Sequence, residues 1–318
     1  MDLLASNLPD DRPVLVIGSA GIDMVGRLDD ELTTGSSVPA TIRSSYGGVA
    51  RNVAENLARL GQDVVLLAAV SRDTAGDRLL EYTQEAGVDV SRVLRTGDHS
   101  TGTYLAVVNR SGELQFGLHD MGVIELLDRD YLEKNQVLFH SASALFIDAN
   151  VPPRSIRNAI KHASRAKIPI YADPTSARLA GRLSPYLDRL AMIAPNSTEA
   201  GVLCGTPFDP SDQERALSAA KFLVSKGVGL AIITLAEFGV TYATSQTSGH
   251  ISALRTEVVD PTGAGDALSA AVIFARLNGI SADEAVRLGI SAASLTLRVP
   301  GTVARELSLE TLYDQLVV

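Results

Sequence analysis

Six short apolar runs, separated by stretches of helical periodicity, constrain this chain more than any other feature. They fall at Val14–Gly18, Val64–Val70, Ala144–Asp148, Ile168–Asp173, Ala191–Pro195 and Leu230–Leu235, and they are apolar almost throughout rather than alternating. A strand that is apolar on both faces must be covered on both, which is the pattern of a parallel sheet held between helical layers. Helical spacing between the runs supplies those layers, as in Ile156, Ile160 and Ala163, or Leu217, Ala220 and Val224. With 318 residues, 46% of them hydrophobic, the chain can bury a large core, and the alternation implies one α/β domain over 1–318.

Two segments break the rhythm. Residues 24–44 and 101–124 alternate polar and apolar positions, as in Thr103-Tyr104-Leu105-Ala106-Val107-Val108, followed by a Ser111-Gly112 turn signal and Leu114-Gln115-Phe116. They read as hairpins outside the main sheet.

Composition narrows the function. A formal net charge of −9 offers no footprint for nucleic acid. The single cysteine, Cys204, excludes an internal disulfide framework, and no His/Cys cluster suggests zinc. Residues 1–11 lack a basic start and a sustained apolar run, so a frayed terminus is expected rather than a signal peptide. No stretch is long and apolar enough to span a bilayer, and a soluble cytoplasmic enzyme is expected.

The most specific string is Val259-Asp260-Pro261-Thr262-Gly263-Ala264-Gly265-Asp266, followed by Leu268, Ala271, Val272 and Ala275 at helical spacing. Glycines at a helix N-terminus turn backbone amides toward one point, where the macrodipole also favours an anion. Asp266 follows directly, a phosphate cradle with a base beside it. A second string, Tyr46-Gly47-Gly48-Val49-Ala50-Arg51-Asn52, opens another helix, with Gly61 placed as its C-terminal cap. Gly47 and Gly48 allow close approach to a ligand, and Asn52 offers a two-way amide. The first apolar run delivers Asp23 just past its C-terminal end, where open α/β sheets bind ligands. The Gly18-Ser19-Ala20-Gly21 run lacks the spacing of a dinucleotide fingerprint.

These strings resemble the signatures of the PfkB, or ribokinase-like, family of sugar and nucleoside kinases, with Pro261 where the family commonly has Thr. The resemblance implies a three-layer αβα sandwich with a central mostly parallel sheet, and a small β-sheet lid formed from 24–44 and 101–124 that also mediates a homodimer. It implies that Asp266 is the catalytic base, that the amides of Gly263, Ala264 and Gly265 form the anion hole, and that Asp23, Gly47, Gly48 and Asn52 hold the sugar. Asn196 and Glu199, in Ala194-Pro195-Asn196-Ser197-Thr198-Glu199, would meet the phosphates of ATP and the water shell of Mg²⁺; the same pair also reads as a helix capping box. Thr234 and Gly239 would lie along the nucleotide. Ala236, where the family has glycine, suggests a locally different backbone. Asp260, Thr262, Thr296, Val299 and Gly301 occupy the positions that hold K⁺ in members needing it, although Asp260 reads equally as a turn cap.

The Gly47–Gly61 string, His119-Asp120-Met121 and Ala172-Asp173-Pro174-Thr175-Ser176-Ala177 look most like the pseudouridine kinase branch. That adds Thr103, Asp120, Met121 and Ser176 to the substrate pocket, with Asp120 and Ser176 on a uracil edge and Tyr46 or Met121 on its face. Ribokinase, fructokinase and adenosine kinase activities remain open, as does a non-catalytic sugar- or nucleoside-sensing role.

Overall fold

The computed structural model of the protein describes residues 12–32 and 35–316; the 1–11 segment, expected to be frayed, lies outside them. The strands in chain order are β1 (Val14–Ile17), β2 (Gly21–Leu28), β3 (Ala40–Gly47), β4 (Val64–Leu67), β5 (Ala69–Ser71), β6 (Leu94–Thr96) and β7 (Gly102–Val108). They continue with β8 (Leu114–Asp120), β9 (Ala144–Asp148), β10 (Ile170–Asp173), β11 (Met192–Ile193), β12 (Leu230–Thr234), β13 (Val240–Thr244) and β14 (Ser248–Ile251).

Eight of them form one sheet in the order β14-β13-β12-β11-β10-β9-β1-β4, parallel from β4 to β12 and antiparallel at the β13-β14 end. Alternate residues of β1 feed opposite cores. Leu15 and Ile17 pack on the side of the Pro153–Ala166 and Gln213–Ser225 helices, whereas Val14 and Val16 pack with the Val49–Arg59, Ala264–Leu277 and Ala282–Leu297 helices. The expected three-layer αβα sandwich is therefore present, and two-sided burial explains why the runs are apolar throughout. The Val64–Val70 run divides: after Leu67 the chain leaves β1, and β5 pairs in parallel with β6 instead. No helix among the described residues is long and apolar enough to cross a membrane.

The connection from β1 leads to β4 on one side, while β9 lies on its other side and the strand order runs on from there. The crevice beyond the C-terminal ends of β1 and β9 is thus the topological switch point, where such sheets bind ligands. Only residues 18–20 separate β1 from β2, so a second sheet grows directly from this crevice. Its order is β3-β2-β7-β8, and it contains both segments singled out for their alternation. Register assigns its faces. Asp23 pairs with Ser45 and Tyr104, and Tyr104 with His119, so these side chains share one face; Ile22, Tyr46, Thr103 and Asp120 form the neighbouring row on the other.

Candidate active site

The Ala264–Leu277 helix starts at Gly263, whose φ of 82° puts it in the left-handed region. A Cβ there would also collide with the carbonyl of Thr302, so only glycine fits. Gly265 serves a different end, since a Cβ at that position would meet nothing within 4 Å. The first helical hydrogen bond runs from Ala267 N to Gly263 O, which leaves the preceding amides at an open, dipole-positive terminus.

Asp266, 9% exposed, sits in that first turn and accepts a 2.7 Å hydrogen bond from Asn52 Nδ2 on its Oδ2. Burial pushes its carboxyl up to about 7; the Asn52 bond opposes the rise, Asp23 and Asp148 add to it, and Arg51 counters it. Asp23, on β2, is likewise raised to about 6 by burial, with Arg51 acting against and Asp260 with the shift. Gly47 makes room for the Asp23 carboxylate, which a Cβ would strike, and Gly48 (φ 96°) lets the chain pass over the Ser19 carbonyl. Asn52 does more than the sequence suggested. Its Oδ1 accepts from Arg51 while its Nδ2 donates to Asp266, so the amide aligns the Asp266 carboxyl.

At the other end of the crevice, Asn196 and Thr234 form a parallel bridge that brings the two nucleotide-directed strings together. Asn196 and Glu199 make a complete capping box, with Glu199 N donating to Asn196 Oδ1 and Asn196 N to Glu199 Oε2, both at 2.9 Å. Burial raises the Glu199 carboxyl. Ala236 holds φ 51°, so the left-handed turn is kept and the alanine carries the strain, contrary to the expected change of backbone. Gly239 (φ 92°) passes the Ile251 carbonyl at a spacing no side chain allows. Asp260 closes a turn by accepting from Thr262 N at 2.9 Å, and its own N–H points to Leu297 O, which draws it toward Thr296, Val299 and Gly301.

The residues expected around a base divide between the two faces of the small sheet and its surroundings. Asp120 and Thr103 lie on the face of the small sheet opposite to Asp23, because a two-residue period separates odd from even positions. Asp120 is exposed and turns to Gly122 N, and Thr103 Oγ1 donates to Thr101 O. Tyr46 is half-buried and meets Tyr82 in a tilted ring contact with centroids 4.8 Å apart. Met121 packs over Gly102 and Ser176 is half-buried at the start of the Ala177–Ala180 helix. Ser45, Tyr104 and His119 share Asp23's face, and His119 Nε2 lies 3.0 Å from Arg178 Nη2 in an exposed contact.

Three further groups escaped the sequence reading. Asp148, at the end of β9, is fully buried; one oxygen accepts from Ser19 N, Ser19 Oγ and Ala50 N, the other from Asn150 N. Asn150 Nδ2 reaches Ser19 Oγ at 3.1 Å, at the switch point itself. The signal was available, since a carboxylate closing a buried strand invites the argument applied to Asp23. Arg51, 1% exposed, had no comparable signal.

The family description "pfkB family carbohydrate kinase" matches residues 11–308. The chain belongs to this family. It is 30% identical to the pseudouridine kinase of Escherichia coli (strain K12), over 93% of this chain and 94% of that protein. It is 28% identical to the guanosine-inosine kinase of Exiguobacterium acetylicum, over 88% and 93%. Among solved structures, that of Arabidopsis thaliana ribokinase complexed with ribose and ATP aligns over 96% and 99% of the two chains with a TM-score of 0.81 at 23% identity, a likeness of fold. As a pfkB family kinase the protein is a phosphotransferase that acts on a hydroxyl group, and carbohydrates and nucleosides are the acceptors of its relatives.

Proposed function

We propose that this kinase transfers the γ-phosphoryl group of ATP to the 5′-hydroxyl of a nucleoside, pseudouridine foremost. The observation that carries the transfer is Asp266, held by Asn52 at 2.7 Å in the first turn of a glycine-opened helix. Likeness to two nucleoside kinases supports the acceptor class. An intact base and anion hole speak against a sensing protein that has given up catalysis. One coupled assay of ATP consumption against pseudouridine, uridine, adenosine, inosine, ribose and fructose tests the reading, and no turnover with any of them would refute it.

Asp266 accepts the hydroxyl proton as the oxygen attacks, and the amides of Gly263, Ala264 and Gly265 stabilise charge on the transferring oxygens. The base must be ionised, so a carboxyl raised to about 7 gives activity that is full above that pH and falls as pH drops through it. The pH profile of kcat/KM is expected to show this acidic limb, and a profile flat down to about pH 5 would remove Asp266 as the base.

Among the described residues no cluster of three or more His, Cys, Asp or Glu is disposed to hold a metal. Glu199 through water, and a phosphate beside Asn196, would hold Mg²⁺, which would neutralise the charge of the nucleotide. Asp260 and the carbonyls of Thr262, Thr296, Val299 and Gly301 are hard oxygen donors that suit K⁺. Exchanging K⁺ for Na⁺ is expected to lower kcat, and Asp260→Ala to abolish the difference; equal wild-type rates in both salts would exclude a K⁺ role.

The small sheet acts as the lid over the acceptor and as a homodimer contact. Its outer face carries one register row of Ile42, Gly26, Val107 and Phe116, and a second with Met24, Leu105 and Leu118. Ile42 is 63% exposed, Leu118 57% and Phe116 40%, an apolar patch that a second copy would cover, with Gly26 leaving a hollow between its neighbours. Phe116→Glu is expected to shift a dimer to a monomer in sedimentation analysis, and a monomeric wild type would remove the dimer. Working on ATP and a free nucleoside, the enzyme would operate in the cytoplasm.

A further inference from the structure

We propose that Arg51 is a positioning residue of the phosphotransfer: from a buried seat it fixes which end of the Asn52 amide faces Asp266, and it ties the Thr302 loop to the substrate string. The proposal rests on the kinase reading, in which Asp266 is the base.

Arg51 lies in the Val49–Arg59 helix with 1% of its surface exposed. The two hydrogens of its Nη2 are shared among Asn52 Oδ1, Tyr46 O at 3.0 Å and Thr302 Oγ1 at 2.9 Å, and Nη1 donates to Glu55. Thr302 Oγ1 donates in turn to Tyr46 O at 2.6 Å, and the Thr302 carbonyl is the group packed against Gly263. One guanidinium therefore touches the sugar string, the amide that holds the base, and the loop that backs the anion hole.

An asparagine amide has a donor end and an acceptor end of nearly the same shape, and its neighbours decide which way it points. A guanidinium can only donate. With Arg51 on one side, Asn52 must turn Oδ1 toward it and Nδ2 toward Asp266. In that orientation Asp266 Oδ2 is engaged as an ionised acceptor and Oδ1 is left to take the hydroxyl proton. Without Arg51 only the charge of Asp266 itself keeps the amide from reversing. A reversed Asn52 offers Oδ1 to Asp266, and two acceptors can meet there only if the carboxyl keeps a proton, which disables it as a base.

The electrostatics point the same way. Asp266 is faced by Asp23 from β2, by Asp148 from β9 and by Asp173 from β10, with Glu199 beside Asp173, and Arg51 acts against the rise of Asp266 and Asp23 from the helix. Stability gives a poor account of such an arginine. A buried ion pair rarely stabilises more than apolar packing of the same volume, and Arg51 Nε is buried with no hydrogen-bond partner.

The test follows the titration of Asp266 by carboxyl ¹³C NMR in the unliganded wild type, Arg51→Met and Arg51→Lys, with Asp266→Asn assigning the signal. The pH–rate profile is measured alongside, on whichever acceptor the wild type phosphorylates. In Arg51→Met the Asp266 midpoint is expected to rise by about one pH unit or more, and kcat near neutral pH to fall about 10- to 100-fold and recover toward pH 9. KM for ATP should change little. Arg51→Lys is expected to fall between, because an ammonium can reach Asn52 but cannot also span Thr302 and Glu55. It carries the same test should Arg51→Met not fold. A folded variant whose Asp266 midpoint is unchanged would reduce Arg51 to scaffolding, whatever its rate. If the wild type phosphorylates nothing, the kinase reading fails, while the titration still answers for Arg51.

Discussion

Asp266→Asn is expected to lower kcat by about two to four orders of magnitude, the usual worth of a general base, while nucleotide and acceptor binding change little. The same substitution should make the protein more stable at pH 8. Asp266 titrates at about 7 in the folded chain against about 3.8 for the ordinary carboxyl, so between those values the folded state binds more protons than the unfolded one. Stability then falls as pH rises through that window, at roughly 1.4 kcal/mol per pH unit for a single group. Asparagine keeps an oxygen for Asn52 Nδ2 and carries no charge, so the gain should be on the order of a few kcal/mol above pH 7 and vanish near pH 4. Thermal melts at the two pH values, set beside kcat, check both halves. Retained activity within a few-fold of wild type would sink the assignment, and a loss of stability at both pH values would make Asp266 a structural residue.

The second large effect concerns the acceptor. A crevice built to hydrogen-bond a base rejects a sugar without one, because its polar groups are left unpaired, and the penalty can reach roughly 10⁴-fold in kcat/KM. Pseudouridine is therefore expected to exceed free ribose by a factor approaching that size. On the proposed function, the groups that would read the base are His119 and Arg178, 3.0 Å apart, and Asn150 at the switch point. His119→Ala and Arg178→Ala should compress the ratio of nucleoside to ribose, whereas Asp120→Ala, on the far face of the sheet, should leave it unchanged. Ribose or fructose performing as well as pseudouridine would end the nucleoside assignment and leave a sugar kinase. A ratio that responds to Asp120 and not to His119 would show that the lid closes with a different register toward the substrate.

What could be read from the chain follows a physical division. The parallel sheet was legible because two-sided burial demands unbroken apolar runs, as at Val14–Ile17 and Ala144–Asp148. The glycine strings were legible because their demands are local: Gly263 and Gly48 need positive φ, and Asp266 falls where the first helical turn places it. Asn196 and Glu199 formed the capping box that their three-residue spacing allows. Other features depend on which strand lies beside which. The sequence marked two alternating segments but not the face each side chain would take, and a shift of one residue exchanges the faces, so whether Asp120 or His119 shares a face with Asp23 was not legible. The direction of the Asn52 amide, the burial of Arg51 among residues up to 251 positions away, and the carboxylates gathered around Asp266 arise only when distant elements pack. Sequence alone determined the layers, the glycine turns and the place of Asp266 in the first helical turn, since these depend on periodicity and local backbone geometry. Tertiary structure alone decided the partners of that carboxyl and the upward push on its titration, because hydrogen-bond direction and desolvation are set by neighbours remote in the chain.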